Sequence, residues 1–159
     1  MQTLFKLSIL LLLLLVSAPA VACFGPKLYV GTPGGMNGEL LFHLAAIYVQ
    51  EKTGVESVRI EYAEGETAGD LLQREKIDLG FSPSAIPDWS SILTVGDTLH
   101  LLSGTRPIEN LQFTTVPKAL KKLQRLLTRE DLALLQQQVE NGMLPAKAVR
   151  NLYMQRGWI

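Results

Sequence analysis

The chain has 159 residues, 15 basic and 15 acidic side chains, 47% hydrophobic residues and a single cysteine. A formal net charge of zero excludes the broad basic footprint that nucleic acid or an anionic membrane surface requires, and one cysteine excludes an intramolecular disulfide framework. The length suits one domain around one core and is too short for two ordinary lobes.

Lys6 precedes an apolar stretch from Leu7 to Val16, and Ser17-Ala-Pro-Ala-Val-Ala22 then supplies small residues in an Ala-x-Ala pattern. This is the form of a secretory signal peptide, and its apolar core is too short to span a bilayer. Residues 1–22 are therefore set aside and residues 23–159 are expected to form the folded domain, with 14 basic against 15 acidic residues once Lys6 is gone. Cys23 then stands where the lipid-acceptor cysteine of a bacterial lipoprotein stands. The preceding Pro19-Ala-Val-Ala22 departs from the leucine-led pattern of such acceptors, which leaves two fates open: diacylation of Cys23, or plain cleavage after Ala22 with a free thiol. Either way the expected location is outside the cytoplasm, in the periplasm, with or without a membrane anchor.

Lys27 to Gly31 is β-prone, and from Glu39 the apolar period changes so that Leu40, Leu44 and Ile47 share one helical face, ending near Thr53-Gly54. Between them lies Gly31-Thr-Pro-Gly-Gly-Met-Asn-Gly38. Its glycines, at 31, 34, 35 and 38, match neither the dinucleotide spacing nor a Walker loop. Two readings stay open here: an anion site of backbone N–H groups at a helix start, or a tight turn in which Gly34, Gly35 and Asn37 supply positive φ.

Val58–Tyr62 alternates as a second strand, Ala63–Ala68 leads into a helix with Leu71 and Leu72, and Lys76–Phe81 reads as a third strand. Two strand–helix–strand units in succession imply parallel pairing with right-handed crossovers. Residues 82–97, rich in Ser and Pro around Trp89, read as a loop or chain crossing. Thr98–Leu102 and Leu111–Thr115 are further strand candidates, flanking a turn at Gly104 to Pro107. Helices follow: one from Pro117 with Leu120, Leu123 and Leu127, one opened by Thr128-Arg-Glu-Asp131 in the manner of a capping box, and one from Pro145 stopped by Gly157. The expected fold class is α/β, a mostly parallel sheet flanked by helices with a C-terminal helical segment.

Two blocks carry a family resemblance. The strand at Leu28, the Gly-rich turn, the helix ending Gln50-Glu-Lys-Thr-Gly54 and the run Leu71-Leu-Gln-Arg-Glu-Lys-Ile-Asp-Leu-Gly80 resemble the N-terminal part of type 2 periplasmic substrate-binding proteins. Leu126-Leu-Thr-Arg-Glu-Asp-Leu-Ala-Leu-Leu-Gln-Gln-Gln-Val-Glu140 and the closing Asn151-Leu-Tyr-Met-Gln-Arg-Gly-Trp-Ile159 resemble the C-terminal helices of the glycine betaine/choline-binding family of ABC importers. Those proteins insert a second α/β lobe between the blocks, whereas here Phe81 to Leu111 leaves a short bridge, so the resemblance implies a single lobe.

The resemblance implies a non-enzymatic solute-binding component for a quaternary ammonium ligand, with no cofactor and no metal, working with an ABC permease. In the two-lobed relatives hinge closure traps the ligand over aromatic faces. It further implies that loops at the C-terminal ends of the parallel strands face the ligand: Thr32, Asn37 and the N–H groups of Gly34 and Gly35 toward a carboxylate, with Ser82, Ser84 and Trp89 on the same rim. Trp89 is expected either to contact the cation or to plug the surface left by the missing lobe. An alternative class is an interaction or sensing protein that docks on a transporter, a receptor or a second copy of itself, since a lost lobe exposes former interlobe surface. His43 and His100 lack metal-site company and read as packing residues, the acidic stretch Glu61, Glu64, Glu66 and Asp70 lacks EF-hand spacing and reads as a solvated face, and the serines at 82, 84, 90 and 91 form no nucleophile elbow.

Overall fold

The computed structural model describes residues 25–95 and 98–159. The expected signal peptide and Cys23 lie outside the described residues.

Five strands form one sheet in the order β2-β1-β3-β5-β4, with β1 Leu28–Thr32, β2 Ser57–Glu61, β3 Leu79–Ser82, β4 Ser90–Val95 and β5 Leu99–Ser103. β1 pairs in parallel with β2 and β3, as the two strand–helix–strand units predict. The other two pairings, β3 with β5 and β5 with β4, are antiparallel, so the sheet is mixed and not mostly parallel. The difference comes from residues 82–97: the stretch is not all loop, because Ser90–Val95 is a strand whose partner follows after a short connection, too short for a crossover helix. Leu111 to Thr115 is not a strand either. Arg106–Glu109 forms a short helix, α3, where a turn was expected, and Leu111–Phe113 a single 3₁₀ turn. Asn110 caps that turn by accepting the Gln112 N–H at 3.0 Å.

Helix α1 (Gly35–Thr53) begins four residues earlier than its apolar period suggests and ends at Gly54, whose φ of 74° is the left-handed cap that the sequence predicts. It is buried on more than one stripe, Ala45, Ala46 and Val49 as well as Leu40, Leu44 and Ile47, because it lies between the sheet and the C-terminal helices. Those are α4 (Val116–Leu126), α5 (Arg129–Glu140) and α6 (Pro145–Gln155). The opposite sheet face carries the short α2 (Ala68–Gln73) and a smaller cluster with Leu71, Leu72, Ile77 and Leu102. Close approach there requires glycine: a Cβ on Gly80 would stand 2.9 Å from the Ala68 methyl, and one on Gly31 2.6 Å from the Tyr62 ring.

The two C-terminal motifs are physically one. Thr128 and Asp131 form the reciprocal capping box of α5. The buried Asp131 also accepts from Arg156 at 2.8 Å, and Trp158 packs on Tyr153 with ring centroids 5.5 Å apart. Tyr153 in turn donates to the Leu44 carbonyl at 2.6 Å. The Arg-Gly-Trp finish therefore locks α6 to α5 and to α1.

Candidate functional site

The parallel strands β1, β2 and β3 all end at one edge of the sheet, at Thr32, Glu61 and Ser82. Because β5 runs the other way, its start at Leu99 and the end of β4 at Val95 reach the same edge. The Gly-rich turn, the loop after β2 and the Ser82–Ser84 segment thus share a rim.

At the β2 end of this rim stands Arg59. Its Nε–H donates to Thr32 Oγ1 at 2.9 Å, one terminal nitrogen donates to the Pro33 carbonyl at 3.2 Å and to the Gly35 carbonyl at 3.4 Å, and it pairs with Glu61 at 3.1 Å. The Gly-rich turn is therefore organised by a resident guanidinium. Only Gly35 within it takes positive φ, 75°; Gly34 is extended and Asn37 is already helical, contrary to the expectation that all three bend the turn. Gly34 answers a different need, since a Cβ there would sit 2.8 Å from Glu61 Oε1. Gly38 packs hardest of all, with space for no side chain against the Pro33 carbonyl.

The seven residues singled out in the sequence separate into four places. Thr32 is fully buried and bonded to Arg59, and Gly34 and Gly35 lie exposed beside Arg59 and Glu61. Asn37 lines a cleft of about 410 Å³ between α1, α5 and the β4–β5 end, with Leu41, Leu99, Arg129 and Leu132 among its walls. Ser82 Oγ donates to the Ser84 carbonyl at 2.7 Å and accepts the Ser84 N–H at 3.3 Å, a local turn at the rim.

Trp89 is not on this rim. Ser90 is level with Ser103, and Ser103 with Leu79, which places Trp89 at the N-terminal ends of β1 and β3. The chain doubles back after Ser84 to begin β4 parallel to β3, and Trp89 packs half-buried on the smaller apolar cluster beside Ile86. It lines a second cleft, of about 490 Å³, with Tyr29, Glu75, Asp78 and Arg106. Asp78 is buried there. It accepts from both Nε and a terminal nitrogen of Arg106 and from the Tyr29 N–H at 2.7 Å. Arg106 also donates to the Lys27 carbonyl at 2.7 Å, with its guanidinium carbon 4.9 Å from the Phe113 ring centroid and 5.6 Å from that of Tyr29. Sequence reasoning missed both arginines, since neither belongs to a motif. The one available signal was the Asp of Ile-Asp-Leu-Gly, a carboxylate entering a buried strand and in need of a cationic partner.

Burial depresses the His43 pKa despite Glu39, whose carboxylate is 3.7 Å from Nε2. Burial likewise drives the Tyr62 phenol far above its usual range while its hydroxyl donates to the Phe81 carbonyl at 2.8 Å. His100 Nδ1 is 3.4 Å from Ser91 Oγ. Among the described residues no three His, Cys, Asp or Glu side chains converge as a metal site would require, and no helix is long and apolar enough to cross a membrane.

No family model and no curated protein sequence matches the chain. Among solved structures, a mutant of full-length BenM aligns at 21% identity with a TM-score of 0.31, over 55% of this chain and 28% of its own length. The fold itself is a mixed five-stranded sheet flanked by helices.

Proposed function

We propose that the chain is an exported, non-enzymatic solute-binding module of the glycine betaine/choline type, reduced to one lobe and serving an ABC permease. The observation that carries this reading is the shared rim: the Gly-rich turn at the start of α1 and the Ser82–Ser84 turn close adjacent parallel strands at the same edge. The backbone N–H groups of the first turn of α1 have no intrahelical partners and carry the positive end of the helix dipole, suited to a ligand carboxylate. Arg59 adds a positive charge behind the turn, and Glu61 over Gly34 must swing aside for a carboxylate to enter. Trp89 at the far edge cannot supply the aromatic face of this site, so the rim offers the carboxylate half of a betaine site and leaves the cation to a second surface. Export and the Cys23 anchor belong to the same proposal.

Calorimetric titration of the exported protein with glycine betaine, choline, carnitine and proline betaine tests it. Saturable heat with the carboxylate-bearing ligands supports the reading, and absence of heat with all four at millimolar concentrations rejects it.

A second reading, an interaction protein, draws on Ile108 and Leu111, which are 50% and 86% exposed in the segment between β5 and α4. Solution mass separates the two: a stable dimer that dissociates on Leu111→Asp supports the second.

A further inference from the structure

We propose that the cleft at the N-terminal ends of β1 and β3 is a binding site for a small organic cation, separate from the rim and independent of the reading above. Its volume of about 490 Å³ falls in the range of small-ligand sites. Its walls combine two aromatic side chains, Trp89 and Tyr29, with the aliphatic surface of Leu72 and Ile77 and the carboxylates of Glu75 and Asp78.

The charge of the cleft follows from who is paired with whom. Asp78 and Arg106 neutralise each other through two charge-assisted hydrogen bonds, and Arg106 is further held by the Lys27 carbonyl and the Phe113 ring. Glu75 is then the lining charge left over. An anionic ligand would have to compete with Asp78 for Arg106 and would meet Glu75. A cation meets Glu75 and the Trp89 indole, the side-chain type that attracts a positive charge most strongly among the aromatics. The main chain under the site is fixed: the Trp89 backbone N–H donates to the Ile86 carbonyl at 3.0 Å, the Tyr29 backbone N–H to Asp78, and Glu75 sits in a left-handed turn at φ 54° closed by its backbone N–H to the Leu72 carbonyl at 3.0 Å. Arg106 is a positioning residue here, setting the Tyr29 ring and cancelling Asp78.

The test is a titration with tetramethylammonium chloride against sodium chloride at equal chloride, and against neutral tert-butanol of similar shape. The Trp89 indole N–H resonance in the unaltered chain is the first readout, assigned with Trp158→Phe. The fluorescence of Trp89 in that same variant is the second. The expected result is a saturable response to tetramethylammonium alone, weakened about tenfold by Glu75→Lys and unchanged by Asn37→Ala at the rim. Equal responses to tert-butanol, indifference to Glu75→Lys or no saturable response in the unaltered chain would each overturn the proposal. Rim binding of glycine betaine is read separately and survives or fails on its own.

Discussion

Arg59 and Thr32 meet across the edge of the sheet, guanidinium Nε to hydroxyl Oγ1 at 2.9 Å, and that bond fixes the strand end from which the Gly-rich turn departs. Thr32 is fully buried, so its hydroxyl depends on Arg59 for its partner. Arg59→Met should cost about 1–2 kcal/mol of stability, the range for losing a charge-assisted bond and stranding a buried polar group. Urea unfolding of Arg59→Met, Thr32→Val and the double variant checks it; a coupling energy near zero would mean that the pair does not act together.

The Asp78–Arg106 pair is unequal. The Asp78 side chain is 7% exposed and that of Arg106 41%. Removing the arginine leaves a buried carboxylate uncompensated, whereas removing the carboxylate leaves a cation that water can reach. Arg106→Met should therefore destabilise by about 3 kcal/mol and Asp78→Asn by about 2 kcal/mol. Denaturant midpoints in that order support the assignment, and the reverse order contradicts it.

Gly80 faces Ala68 and Tyr62 on the thinly covered side of the sheet. Gly80→Ala should cost about 1–3 kcal/mol through overpacking, while Ala at Gly25, where a Cβ meets nothing within 4 Å, should be neutral. Thermal unfolding of both variants measures the contrast.

His43 gives a pH dependence of defined sign. Burial is the largest influence on it and holds its folded pKa below the ordinary 6.5, so the unfolded chain binds the proton more readily. Its contribution is complete above the unfolded value and is lost as pH falls through 6.5 toward the folded value. His43→Gln should flatten the loss of stability between about pH 7 and about pH 5. Urea midpoints across that range provide the comparison.

The elements whose signals are local were legible in the sequence. Gly54 caps α1, Thr128 and Asp131 box the start of α5, and the repeat of strand and helix over residues 28–81 pairs three strands in parallel. The misread segments are those decided by distant partners. Ser90–Val95 looks like loop because its serines and Trp89 hide a strand that forms by pairing with β5, and Leu111–Thr115 alternates like a strand but is turned by the Asn110 cap. The candidate site shows the same division. Sequence proximity grouped Trp89 with Ser82, and a chain reversal of seven residues sent it to the other edge. Arg59 and Arg106 were invisible for the converse reason, since Arg59 finds its Thr32, Pro33 and Gly35 acceptors, and Arg106 its Asp78 carboxylate, 24 or more residues away.

The function proposed for the rim is to receive a small solute carboxylate. The most direct measurement is amide chemical-shift mapping of the nitrogen-labelled exported protein during titration with glycine betaine. Carboxylate binding at the rim should produce saturable shifts concentrated at Gly34, Gly35, Asn37, Ser82 and Ser84, with tighter affinity when Glu61→Gln removes the competing carboxylate. Shifts confined to the Trp89 edge, or no shifts at saturating ligand, would contradict it.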